Sequence, residues 1–286
     1  ANAIKGTLSA EVTLGEQDGA QQITVQGRAS EMALRTGPRD LTTLKEATLS
    51  GDILLMDKQP RISLTADFTA LSHPRLQASE GHIRITQQEK DKTLAYDLAL
   101  RGNDIMPYDL TLSGTAPQPT EAGRDITLGF TGTIDQTPVA LKQPVTLSLR
   151  QTGFSLTPFK VELGKGYISG RFTRADKALQ TSLTADNADL RPLLVFAPEL
   201  PLVGLLNGTV RLNATETTTD GAFDLRLTQI PTLVQGMAFQ AQGTLAPTGL
   251  DLSGSARLND QFQADFTARL PLFYDAAVPT FHFPAD

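Results

Sequence analysis

Apolar and polar residues alternate with a period of two along most of this chain. Ile4, Gly6, Leu8, Ala10, Val12 and Leu14 take one side, and Lys5, Thr7, Ser9, Glu11 and Thr13 the other. That is the pattern of a strand with one dry and one wet face. It returns at Ile23, Val25, Gly27 and Ala29, at Ala47 to Leu55, and at Ile62, Leu64, Ala66, Phe68 and Ala70. Later segments repeat it around Ile83, Leu98, Leu112, Phe130, Leu147, Val161, Phe172 and Leu183, then around Val210, Leu225, Phe239, Leu252 and Phe266. Turn residues separate the segments, among them Gln17-Asp18-Gly19, Thr36 to Asp40, Leu163 to Gly166 and Arg174-Ala175-Asp176-Lys177. The alternation predicts about 17 strands joined by short turns, hence an all-β, mostly antiparallel fold.

The period changes once. Leu190, Leu193, Leu194 and Ala197 recur at i, i+3, i+4 and i+7, with Asn187 or Asp189 as cap and Pro192 in the first turn. This predicts a short amphipathic helix over 187–200, a plug or end-cover, stopped by Pro198 and Pro201. Residues 1–186 and 201–286 read as β-segments of one continuous architecture on either side of it.

About 17 strands spaced by roughly 4.8 Å would make an open sheet on the order of 80 Å wide, beyond the width at which sheets curl or split. Two solutions fit the pattern: a sandwich with a filled core, or a curved sheet around a groove. Gly6, Gly27, Gly51, Gly132, Gly170, Gly204, Gly208, Gly243 and Gly254 are in phase with the apolar set. Repeated glycine there reads as strong curvature or as space kept for a ligand.

Composition narrows the chemistry. The 286 residues are 40% hydrophobic and 20% charged, which is enough to build a core. The absence of cysteine excludes disulfides and thiolate metal sites. A net charge of −6 without a basic cluster argues against a nucleic-acid surface. No apolar run reaches the roughly 18–20 residues of a membrane-spanning helix, and without a signal sequence or initiating Met the chain reads as a piece of a longer one. His73, His82 and His282 are too far apart to suggest a metal site. Neither a Gly-x-Ser-x-Gly elbow nor a phosphate loop occurs, and Asp186 and Asp189 read as helix-start carboxylates. No cofactor and no enzymatic activity are expected.

The stretch from Asn187 to Leu212 pairs a D-L-x-x-L-L helix with a proline-marked break and then P-L-x-G-x-L-x-G-x-V-x-L. It resembles the recurring unit of the AsmA-like and TamB families of Gram-negative envelope proteins. Arg269 to Leu272 and Pro279 to Asp286 are similar to the linker before a further unit. The resemblance implies a U-shaped, taco-like hydrophobic groove in the periplasm. It also implies a parent chain anchored in the inner membrane, passage of phospholipid toward the outer membrane, and a barrel partner in that membrane. An apolar groove would hold acyl chains at about 0.8 kcal/mol per buried methylene. The expected lining is Leu8, Val12, Val25, Ile53, Leu64, Phe68, Leu98, Leu112, Phe130, Leu147, Phe172, Leu183, Leu206, Val210, Leu225, Phe239, Leu252 and Phe266.

Other readings compete. A scaffold for outer-membrane protein assembly would share the family. An integral barrel would need aromatic girdles, and the chain has no Trp and four Tyr. A solenoid would need a regular repeat, and the strand spacing is uneven.

Overall fold

An alternating strand is stable beside another that alternates in the same phase, and a short turn brings that partner from the next segment of chain. The computed structural model describes residues 3–17, 19–35, 41–56, 59–74, 76–87, 93–103, 105–197, 203–215, 218–228, 237–258, 262–271, 273–275 and 280–282. The fold is all-β antiparallel sheet. It divides into two compact units, Ala1–Pro138 with Leu193–Glu199, and Val139–Pro192 with Leu200–Asp286.

The first unit holds β1 (Ala3–Gln17), β2 (Ala20–Arg35), β3 (Leu41–Met56), β4 (Gln59–His73), β5 (Leu76–Gln87), β6 (Leu94–Asn103), β7 (Pro107–Ala116) and β8 (Arg124–Ile134). Each ladders antiparallel with the next. The chain passes from the first unit to the second within β9 (Thr137–Leu141), and the second holds β10 (Val145–Arg150), β11 (Gly153–Leu163), β12 (Gly166–Ala175), β13 (Ala178–Asp189), β14 (Leu205–Ala214), β15 (Thr219–Thr228), β16 (Met237–Ala246), β17 (Gly249–Leu258) and β18 (Phe262–Leu270). Here β9 and β10 ladder in turn along β11, and Lys142 N–H bridges the interval by donating to Lys160 O at 2.9 Å. From β11 to β18 each strand pairs with its successor. A two-stranded ladder, β19 (Phe273–Asp275) with β20 (Thr280–His282), completes the described strands.

Every alternating segment read from the sequence is a strand, and β9, β19 and β20 are additions. The turns read at Leu163 to Gly166 and at Arg174 to Lys177 are both tighter, one cap reading changes, and Asp18 and 36–40 lie outside the described residues. At Arg174 to Lys177, β12 continues through Ala175 and Asp176, at φ 49°, makes the reversal. Asn187 is not a helix cap but a bulge inside β13: its φ is 48°, its N–H donates to Asn207 Oδ1 at 2.8 Å, and the register slips between Ala185 and Ala188. The bulge moves the apolar phase by one, from Leu183 and Ala185 to Ala188, and asparagine tolerates the left-handed region better than most residues. Glu31 (φ 50°) and Ala70 (φ 49°) mark similar changes of phase, after which Met32, Leu44, Leu71 and Ala78 align across β2 to β5.

In place of the amphipathic α-helix, the described residues form a 3₁₀ helix, Arg191–Val195; 198–200 lie outside them. Its three-residue turn puts Pro192 and Val195 on one side, and these are buried along with Leu190. Leu193 is 37% exposed, and Leu194 and Ala197 are half-buried, so the expected i, i+3, i+4, i+7 face does not form. Asp189 does cap this turn. Its carboxylate accepts from Arg191 N–H at 3.0 Å and takes the Arg191 guanidinium at 2.6 to 3.1 Å. Burial pushes the Asp189 pKa up, but the hydrogen bonds and charge of Arg191 outweigh it and hold the pKa below its ordinary value.

Because the folded pKa is depressed, the pair stabilises the fold above the ordinary carboxylate pKa of about 3.9 and loses that effect as pH falls through the lower folded value. Arg191→Ala should cost about 1–3 kcal/mol at pH 7, and the gap from the parent should narrow in denaturation at pH 3. Ala70→Gly should raise stability by about 1 kcal/mol in the same assay, since it relieves a left-handed alanine.

Candidate functional site: the aligned apolar faces

Residues directly opposite each other in a ladder share a face, so the registers assemble the alternating residues into rows. In the first unit one row is Ala10, Gly27, Leu49, Ala66, Ile83, Leu98, Leu112 and Phe130, one residue from each of β1 to β8. Beside it run Val12, Val25, Gly51, Leu64, Ile85, Tyr96, Gly114 and Leu128, and on the other side Leu8, Ala29, Ala47, Phe68, Gly81, Leu100, Leu110 and Gly132. Ile53 lies between Ile23 and Ile62 in a shorter row.

The second unit repeats the arrangement. Phe159, Gly170, Leu183, Val210, Phe223, Gly243, Leu252 and Ala268 form one row. Leu225 and Phe266 belong to the row of Val161 and Ile168, Leu206 and Phe239 to that of Ala188, and Leu147 and Phe172 to that of Leu156. The ladders therefore bring the expected lining residues together on one face within each unit.

These faces are not sealed. Phe68 is buried at 9% exposure, Leu8, Val12 and Phe239 are exposed, and the other expected lining residues are half-buried. The glycines are another matter, because the space above them is largely taken. A Cβ at Gly51 would strike Leu64, one at Gly81 the ring of Phe68, one at Gly243 the ring of Phe223 and one at Gly254 that of Phe266. A large side chain from a neighbouring strand lies over each, so the ligand-space reading does not hold there. Tyr96 covers Gly114 in the same way and donates its hydroxyl to Thr127 O at 2.7 Å; burial pushes its pKa up. Gly208, at φ +139°, is needed for its backbone conformation as well.

The opposite face is polar and pairs some of its charges within itself. Arg101 stands between Glu80 and Asp109 in register and pairs with both at 2.7 Å, and His82 Nδ1 meets Asp67 Oδ1 at 2.7 Å. These groups help line a concavity of about 350 Å³ on the first unit. The pairs are largely exposed, so each contributes little to stability. His82 is thus a structural residue of this face.

One residue of the second unit's apolar face escaped sequence reading. Arg174 lies in a row with Leu149, Phe154, Leu179 and Ala214, where its place two residues after Phe172 puts it in the apolar phase. That spacing was the available signal, masked by the apparent turn sequence that follows. No family model, curated protein or solved structure matches this chain.

If Phe223 fills the space over Gly243, Gly243→Val should destabilise by about 1–3 kcal/mol in chemical denaturation. Gly27→Ala should stay within about 0.5 kcal/mol of the parent, because the nearest atom to its added Cβ lies 3.5 Å away.

Proposed function

We propose that the apolar faces line a hydrophobic groove, U-shaped as in the TamB and AsmA-like families that the sequence resembles, and that this groove binds acyl chains and passes phospholipid between the two membranes of a Gram-negative envelope. The observation that carries this reading is the continuity of in-register apolar rows most of whose members keep exposed surface, with Phe68, Leu110, Leu227 and Ala241 among the buried exceptions. A filled core would bring mid-strand leucines and phenylalanines close to full burial. Here residues such as Leu98, Leu112, Phe130, Leu183 and Leu252 keep part of their surface accessible.

The action is passive and non-enzymatic. Each buried methylene of an acyl chain is worth about 0.8 kcal/mol, so affinity grows with chain length, while the face has few polar groups to select among tails. A row crossing the eight strands of the first unit is roughly 34 Å long at the usual strand spacing of about 4.8 Å. Movement along it exchanges one apolar contact for an equivalent one, which keeps barriers low. The periplasm, an inner-membrane anchor on the parent chain and a barrel partner belong to the same reading.

Photo-crosslinking in Gram-negative cells tests it, with a photoreactive phenylalanine analogue at Phe130 and Phe239 and a control at Thr131 on the polar face. Phospholipid should be captured at the first two positions and not at the third. Capture at none of them by a folded protein would sink the lipid reading and favour an assembly scaffold. Phe130→Asp and Leu147→Asp should block lipid capture at a modest folding cost; outright unfolding of both would mean a filled core.

A further inference from the structure

We infer that Arg174 holds the phosphate of an acyl lipid's headgroup at the margin of the second unit's apolar face, so that this face prefers phosphate-bearing lipids to uncharged ones with the same tails. The inference rests on the acyl-chain reading above and adds the residue that holds the headgroup and where on the face it sits. Register puts Arg174 opposite Phe154 on one side and Leu179 on the other, with Leu149 and Ala214 continuing the row. Phe154 stacks on Phe172 with ring centroids 5.1 Å apart, which makes the adjoining surface aromatic. No other charged side chain occurs in the aligned apolar rows of this unit among the described residues.

Arg174 is half-buried as a residue beside the exposed Leu149 and Phe154, so its stem can lie on the apolar face while its guanidinium stands at the margin, open to an anion. No acidic side chain occupies its row. The strand's other charge, Arg171, belongs to the polar face, where exposure is ordinary. Position matters as much as charge. Arg174 is one residue from the end of β12, while Phe172, Gly170 and Ile168 lead inward on the same face. A lipid lying along them would have its tail on the apolar rows and its head at the strand end. A guanidinium suits a phosphate there because its planar fork can donate two parallel hydrogen bonds.

The test is displacement of an uncharged pyrene-labelled diacylglycerol from the purified 286-residue chain by dioleoyl phosphatidate or by dioleoylglycerol, which differ only in the phosphate. Phosphatidate should displace the probe at about tenfold lower concentration. Arg174→Gln should bring the two lipids to parity without changing dioleoylglycerol, Arg174→Lys should leave a reduced preference, and Arg171→Gln should change nothing. Circular dichroism checks folding, and if Arg174→Gln does not fold, Arg174→Lys decides the matter. Equal displacement in the parent chain would overturn the inference while leaving acyl binding intact. So would loss of the preference in Arg171→Gln, which would point to diffuse positive charge. Failure of the probe itself to bind would remove the acyl-chain reading and this inference together.

Discussion

Strand register is the constraint on which everything else here depends. A slip of one residue between two neighbours would turn a whole apolar row to water and bring its polar counterpart round in exchange. Short turns limit the possible slips, but size complementarity also holds the register. Phe68 lies over Gly81; displaced by one residue it would meet Glu80 or His82. Phe223 over Gly243 and Leu64 over Gly51 are fixed in the same way. The in-phase glycines are thus sockets for their neighbours' side chains, and the apolar face is self-fitted without being covered.

This division of labour separates a charged face from an apolar one. The polar face settles some of its charges locally, as Arg101 does with Glu80 and Asp109, and remains wet. Residues at or just beyond strand ends are more fully enclosed than strand middles in several places: Leu163, Ala188, Leu190 and Val203 are buried, whereas Leu183 and Val210 are half-buried. Folding free energy can come from enclosed ends and continuous ladders, with mid-strand surface left partly accessible.

Alternation made the strands legible, because period two survives even when individual residues are poor strand formers. It failed where a different rule acted. β9 was missed because it is five residues long, contains Pro138 and follows a turn at Asp135 and Gln136, which adopt positive φ without glycine. The helix over 187–200 was over-read because leucine spacing says nothing of the Asn187 bulge, which keeps the chain in β13 until Asp189. Between the bulges at Glu31, Ala70 and Asn187, phase gives most of the membership of the apolar rows. It does not give their exposure, since alternation gives the same signal whether a second layer covers the face or water does.

Within each unit, hydrogen-bonded partners are neighbours in sequence wherever the ladder is uninterrupted. Such a fold is close to one-dimensional, with each added strand resting on the last and little depending on distant segments. Its width is therefore open to evolutionary change in steps of two. Gaining or losing a hairpin returns the chain to the same end of the sheet with its apolar phase preserved, whereas a single strand would deliver it to the opposite end. A protein built this way can change its span by copying hairpins, without redesigning any face it already has.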